Sequence, residues 1–177
     1  TDRRGILEVD WGLNLQKFKS LEENTSMLET LREKIFTWIL KRQTARTVIM
    51  PQWNKVRSVV VLYPNENIQH IIKQIKQMGK EVVVFTKPNQ KQINWLTERP
   101  KIEIRELVMA RHFDVLIDLT QHPSLTMQYM AMDIQANFKV GRFIREGIHD
   151  LTIDTAPQEA PDYLFEQMMK YIEIFGR

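Results

Sequence analysis

Three apolar runs constrain the fold of this chain more than any other feature. They occupy residues 56–63, 81–86 and 113–119, and valine, isoleucine and leucine dominate them. Continuous apolar runs are typical of strands that are buried on both faces of a parallel sheet, because helices cover each face. The runs therefore predict an α/β fold with a mostly parallel sheet.

The residues between the first two runs predict a helix. Ile68, Ile71, Ile72 and Ile75 recur on one helical face, and Gly79 follows where a helix C-terminus favours glycine. Strand, helix and strand in this order form a βαβ unit, whose crossover is almost always right-handed. The pattern further along predicts an edge strand at 102–107, a helix at 123–136, short strands at 138–141 and 151–154, and a last helix beginning at Pro161.

The N-terminal part predicts a long helix that precedes the sheet. Two capping-box sequences begin at Ser20 and Ser26, and apolar residues follow at helical spacing up to Ile39. Residues 1–19 show no clear period and are interpreted as an extended arm. We therefore predict an arm and amphipathic helix over 1–50, and over 51–177 one Rossmann-like domain: an open sheet of about five strands with helices on both faces.

Composition excludes several classes of protein. The chain has no cysteine, so it forms no disulfide and has no thiolate metal site or cysteine nucleophile. No run approaches the roughly 18 apolar residues of a membrane helix, and no secretory signal is recognised at the start. We expect a cytoplasmic protein without a transmembrane segment.

The charge is unevenly distributed along the chain. Residues 1–111 hold 20 Lys and Arg against 12 Asp and Glu, whereas residues 112–177 hold 5 against 10. Such asymmetry indicates a basic face for phosphates, or two halves that attract each other or a second copy, and we predict a homodimer. A nucleic-acid surface is the less favoured hypothesis, because no basic run of five or more exists. Its residues would be Arg32, Lys34, Lys41, Arg42 and Arg46.

The common catalytic and cofactor motifs are absent from the sequence. It contains no G-x-G-x-x-G, no phosphate-binding P-loop and no G-x-S-x-G nucleophile turn. The four histidines lie too far apart in sequence for a local metal pair. We therefore predict neither a cofactor nor a metal site.

The position of polar residues indicates where a ligand binds. Ligands of open α/β sheets bind outside the carboxyl ends of the strands. The candidate ligand-binding residues at these ends are Asn65, Glu66, Lys87, Asp118, Thr120, Gln121 and His122. Each also has a structural interpretation: Asp118 holds the following turn, and Thr120 or His122 caps the following helix.

Two resemblances extend this interpretation. Residues 113–119, 129–132 and 136–142 resemble the N-terminal domain of heptosyltransferase-type glycosyltransferases, and the span 56–175 resembles a family of uncharacterised proteins from Bacteroidetes-type bacteria. The glycosyltransferase resemblance implies a Rossmann-like half, whose family binds donor and acceptor between two such domains. This chain has room for one, and Asp118 is the position that carries over.

The sequence thus supports two hypotheses about function. The first is a non-catalytic module that binds a ligand or partner at the strand ends, with a small phosphorylated compound or nucleotide sugar as ligand. The alternative is an enzyme that acts on a sugar phosphate or nucleotide sugar, with Asp118 or His122 as general base.

Overall fold

The computed structural model describes residues 8–43, 47–65, 67–142, 144–156 and 159–175, with the side chains of 8–22 and of residue 175 outside the description. The helices are α1 Glu8–Lys41, α2 Gln69–Gln77, α3 Ile102–Met109, α4 Leu125–Asp133 and α5 Pro161–Phe175. The strands are β1 Ser58–Leu62, β2 Glu81–Phe85, β3 His112–Asp118, β4 Gln135–Arg142 and β5 Leu151–Ile153.

The five strands form one parallel sheet in the order β2-β1-β3-β4-β5. This confirms the predicted α/β class and open parallel sheet. Leu62, Asp118, Gly141 and Thr152 are aligned across the four strands from β1 to β5. Their row marks the carboxyl edge of the sheet, where the predicted ligand-binding residues follow.

Helices cover both faces of the sheet. On one face, α2 and α5 pack against the side chains that alternate along β1 and β3, such as Val59, Val61 and Val115. On the other face, α1, α3 and α4 pack against Val60 and Leu116. The central strands are therefore buried on both sides, which explains why their sequences are continuously apolar.

The N-terminal helix completes the second layer. The connection from β4 to β5 spans only residues 143–150, and its described part contains no helix. The C-terminal part of α1 packs beside α4 instead, where Phe36 is fully buried and its ring meets Tyr129 edge-on at 4.6 Å between centroids. Ile39 and Leu40 pack in the same hydrophobic cluster. Thus α1 belongs to the same helical layer as α3 and α4.

Two predictions about local structure are wrong. Residues 8–19 of the predicted extended arm belong to α1, because adding a turn to an existing helix is easier than starting a new element. Residues 102–107 of the predicted edge strand belong to α3, where Ile104 and Val108 lie on one face and point into the core. This segment is too short for its apolar period to separate strand from helix. Residues 1–7 of the arm lie outside the described part of the chain.

The sequence also predicts that no segment crosses a membrane. Within the described residues, no helix combines the length and the apolar character that crossing a bilayer requires.

We predict that Phe36→Ala lowers the free energy of unfolding by about 3–5 kcal/mol, since it leaves a cavity between α1, α4 and the sheet. Lys34→Ala is the matched control, because Lys34 is exposed on the same helix. Its loss should stay below about 1 kcal/mol. Urea unfolding followed by circular dichroism measures both, and equal losses would show that α1 is not part of the cooperative core.

Candidate functional site

Asp118 is the centre of the polar residues at the carboxyl edge. It is the last residue of β3 and is 2% exposed. Its Oδ1 accepts a hydrogen bond from the backbone N–H of Thr120 at 3.0 Å, so it does hold the following turn. Its second oxygen is occupied by a residue that the sequence analysis did not identify.

That residue is His149, from the loop between β4 and β5. Its Nε2 lies 2.9 Å from Asp118 Oδ2, and both side chains are almost completely buried. A carboxylate only accepts hydrogen bonds, so Nε2–H donates and Nδ1 points elsewhere. Gly141 makes room for the ring, because a Cβ at this position would lie 2.5 Å from His149 Nε2. A glycine inside a predicted strand was the one sequence signal for such a close approach.

Arg142 is a second site residue that the sequence analysis missed. It is 5% exposed, and its guanidinium donates to the carbonyl of Thr155 at 3.1 Å and to that of Ala156. Burial lowers the pKa of Arg142, and the carboxylate of Glu159 opposes this effect. Arginine gives up its proton only in strongly alkaline solution, so the side chain keeps its charge at neutral pH.

Gln121 joins the same arrangement from the end of β3. Its Nε2 donates to the carbonyl of Glu159 at 2.6 Å, and the guanidinium of Arg142 lies 3.5 Å from that oxygen. One side chain from the loop after β3 and one from the end of β4 thus hold the loop that follows β5. The carboxyl ends of three adjacent strands are thereby bound into one polar edge.

The other predicted residues do not join this group. Lys87 and His122 are exposed, and Asn65 is exposed with its Oδ1 accepting the N–H of Asn67. The cap of α4 is neither Thr120 nor His122 but Ser124, whose Oγ accepts the N–H of Met127. Glu66 lies outside the described residues.

Four buried polar atoms at this edge have no hydrogen-bond partner among the described residues. They are Thr120 Oγ1, Arg142 Nε, His149 Nδ1 and Thr155 Oγ1. Leaving a buried polar atom unpaired costs about 1–3 kcal/mol, so such atoms are rare in native proteins. The described residues hold four further buried atoms without a partner, so such atoms are not confined to this edge: Arg99 Nε, Gln128 Oε1, Tyr129 Oη and Arg145 Nε. A guest, either water or a ligand, would complete the hydrogen bonds of the four at the carboxyl edge. The described residues include no cluster of three His, Asp or Glu that could hold a metal ion.

A cavity of about 980 Å³ lies at the opposite, amino end of the strands. Its polar wall residues already have partners: Asp114 accepts from the N–H groups of Arg57 and Ser58, and His112 lies 2.6 Å from Asn137 Oδ1. Burial acts to raise the pKa of Asp114, but these N–H donors outweigh it and lower the pKa. Gln43 and Thr47 border residues 44–46, which the structure does not describe. We therefore place the candidate site at the carboxyl edge.

Comparison with known proteins identifies one protein family. A family model with the description "Family of unknown function (DUF6913)" matches residues 30–175, which is well over half of the chain. No curated protein and no solved structure matches the sequence. The resemblances to glycosyltransferases and to Bacteroidetes-type proteins therefore stay predictions.

The unpaired atoms generate a prediction about stability without any ligand. Thr120→Val removes a buried hydroxyl that has no partner, so the free energy of unfolding should rise by about 1 kcal/mol. Thr126→Val is the matched control, since Thr126 is equally buried but its hydroxyl donates to the Glu98 carbonyl at 2.8 Å. That variant should lose about 1–3 kcal/mol. Urea titrations compare the two, and equal losses would mean that the Thr120 hydroxyl is already satisfied in the folded protein.

Proposed function

We propose that this chain, which belongs to the DUF6913 family of unknown function, binds a small phosphorylated ligand at the carboxyl edge of its sheet. The ligand class is a sugar phosphate or a nucleotide sugar. The observation that carries the proposal is the group of four unpaired buried atoms on Thr120, Arg142, His149 and Thr155.

The topology supports this location. The strand order is β2-β1-β3-β4-β5. The chain therefore runs from β1 to its neighbour β2 on one side, and then crosses to β3 on the other side of β1. The direction in which strands are added thus changes between β1 and β3. Ligands of doubly wound sheets bind in the crevice outside the carboxyl ends at such a point. Thr120 is the second residue after β3 and therefore lies close to this point.

The chemistry of the unpaired atoms supports the ligand class. The two threonine hydroxyls both donate and accept, Arg142 Nε–H only donates, and His149 Nδ1 accepts when Nε2 carries the hydrogen. Hydroxyl groups of a sugar match the threonines and the imidazole. An arginine that stays charged is the side chain best suited to a phosphate oxygen.

The hydrogen bonds of Asp118 support binding over catalysis by this carboxylate. A general base must come within hydrogen-bond distance of the proton that it removes. Asp118 already accepts from Thr120 N–H and from His149, so it is an orienting group rather than a free base.

The pair nevertheless favours one specific form of the alternative function. A carboxylate that accepts from one imidazole nitrogen orients the other nitrogen as a base, as in catalytic acid–histidine pairs. If the chain is an enzyme, His149 takes the role that the sequence assigned to Asp118 or His122. The substrate class would be the same.

We predict that a sugar phosphate or nucleotide sugar raises the melting temperature by about 5–10 °C at 100 times its dissociation constant. Thr120→Val and Arg142→Lys should abolish the shift, because each removes one of the unpaired donors. Thr126→Val, which changes a buried threonine away from the site, should keep it. A thermal-shift screen that includes inorganic phosphate makes the measurement.

Three results of the screen are informative. A flat screen over all phosphorylated compounds contradicts the proposal. A shift that survives Thr120→Val and Arg142→Lys places the ligand elsewhere. Turnover of the bound compound that is lost in His149→Gln, with binding retained, would establish the enzymatic alternative.

The predicted homodimer and cytoplasmic location complete the proposal. Met27, Leu31 and Trp38 lie along one stripe of α1 and are 72%, 45% and 54% exposed. An exposed apolar stripe of this kind is suited to a second copy of the chain. We predict a dimer that Leu31→Lys dissociates, as measured by multi-angle light scattering. A wild-type monomer at high concentration would contradict it.

A further inference from the structure

We infer that the N-terminal helix positions His149 in the candidate site, acting through the loop between β4 and β5. The inference concerns the same site as the proposed function and rests on it for its biological meaning. It makes Glu33, Phe36 and Leu40 positioning residues, because each contacts the loop and acts through it.

The first half of the loop is held by α1 on two sides. The guanidinium of Arg145 pairs with Glu33 at 2.9 Å, and its central carbon lies 4.6 Å from the centre of the Phe36 ring. Two residues later, the loop passes close to Leu40, since a Cβ added to Gly147 would lie 3.7 Å from that side chain. Gly147 has φ +89°, which suits glycine and fixes the turn at this point.

Ile148, the residue after Gly147, connects the contact with α1 to the site. Ile148 is 3% exposed and belongs to the hydrophobic cluster that contains Phe36, Ile39 and Leu40. His149 follows it directly in the chain. A shift of the Ile148 side chain therefore displaces the imidazole from Asp118.

The second half of the loop is anchored independently of α1. The N–H of Asp150 donates to the Lys139 carbonyl at 2.8 Å, and Asp150 Oδ2 accepts the Lys139 N–H at 2.7 Å. His149 thus lies between an anchor on β4 and an anchor on α1. The hydrogen bonds to β4 fix the backbone of Asp150. The contacts with α1 then determine whether the His149 ring reaches Asp118.

The reason for this dependence is the short connection. Two parallel strands usually need about 10–12 residues or more to connect, and most of such a connection is a helix that folds onto the sheet. The eight residues 143–150 are too few to provide that cover, and Arg145, Gly147 and Ile148 lie against α1 instead.

The experiment follows the imidazole of His149 by NMR in the full chain without any ligand. A buried, hydrogen-bonded Nε2–H exchanges slowly and gives a low-field proton signal, and its absence in His149→Gln assigns the signal. Leu40→Ala should weaken or abolish this signal, because it removes the side chain that supports Gly147 and Ile148. Leu40→Met, which refills the space, should restore it.

Val108→Ala is the matched control for loss of stability. Val108 is 2% exposed in the same hydrophobic cluster but belongs to α3, which packs on α4. This variant should lower the stability to a similar extent and leave the His149 signal unchanged.

Each outcome decides the inference. Loss of the signal in Leu40→Ala alone supports it, whereas an unchanged signal, or an equal loss in Val108→Ala, overturns it. Because the signal is measured without ligand, a failure of the ligand screen does not affect this result. Conversely, ligand binding that persists with full affinity in Leu40→Ala would show that the site works without support from α1.

Discussion

The need to cover a parallel sheet on both faces governs this structure. Parallel strands cannot leave one face to water as antiparallel strands do, and the helices of the crossover connections normally provide the cover. Here the connection from β4 to β5 has only eight residues, and its described part contains no helix. The N-terminal helix, which precedes the sheet in sequence, packs on the same face as α4, and Phe36 is buried in that layer.

This arrangement has a consequence for the carboxyl edge. The short loop must follow α1, and it brings His149 over Gly141 and against Asp118. Two side chains that are distant in sequence thereby form a buried pair next to unpaired hydroxyl and guanidinium groups. A fold that was optimised for stability alone would pair or remove such groups, because each costs free energy while it is unpaired. This free-energy cost of the unpaired groups is the physical basis for regarding the edge as a binding site.

Local patterns were sufficient for most of the secondary structure. The apolar runs identified β1, β2 and β3, the isoleucine spacing identified α2, and Pro161 marked the start of α5. Interpretation from local patterns failed where a segment was short or weakly periodic. Ile102 to Leu107 fits a strand or a helix equally well, and only the packing of Ile104 and Val108 against the other helices decides between them.

By itself, the sequence determined the α/β class, the parallel sheet and the edge at which polar residues collect, because these depend on apolar runs, turn residues and chain direction. It also identified Asp118 and Thr120. Only the tertiary structure decided which polar residues meet there. His149 and Arg142 join Asp118 through strand register and through a loop shaped by α1, whereas Lys87 and His122 remain in solvent. The physical reason is that the distance between two side chains is set by tertiary packing. Asp118 and His149 are 31 positions apart in sequence, and no local pattern indicates that they meet.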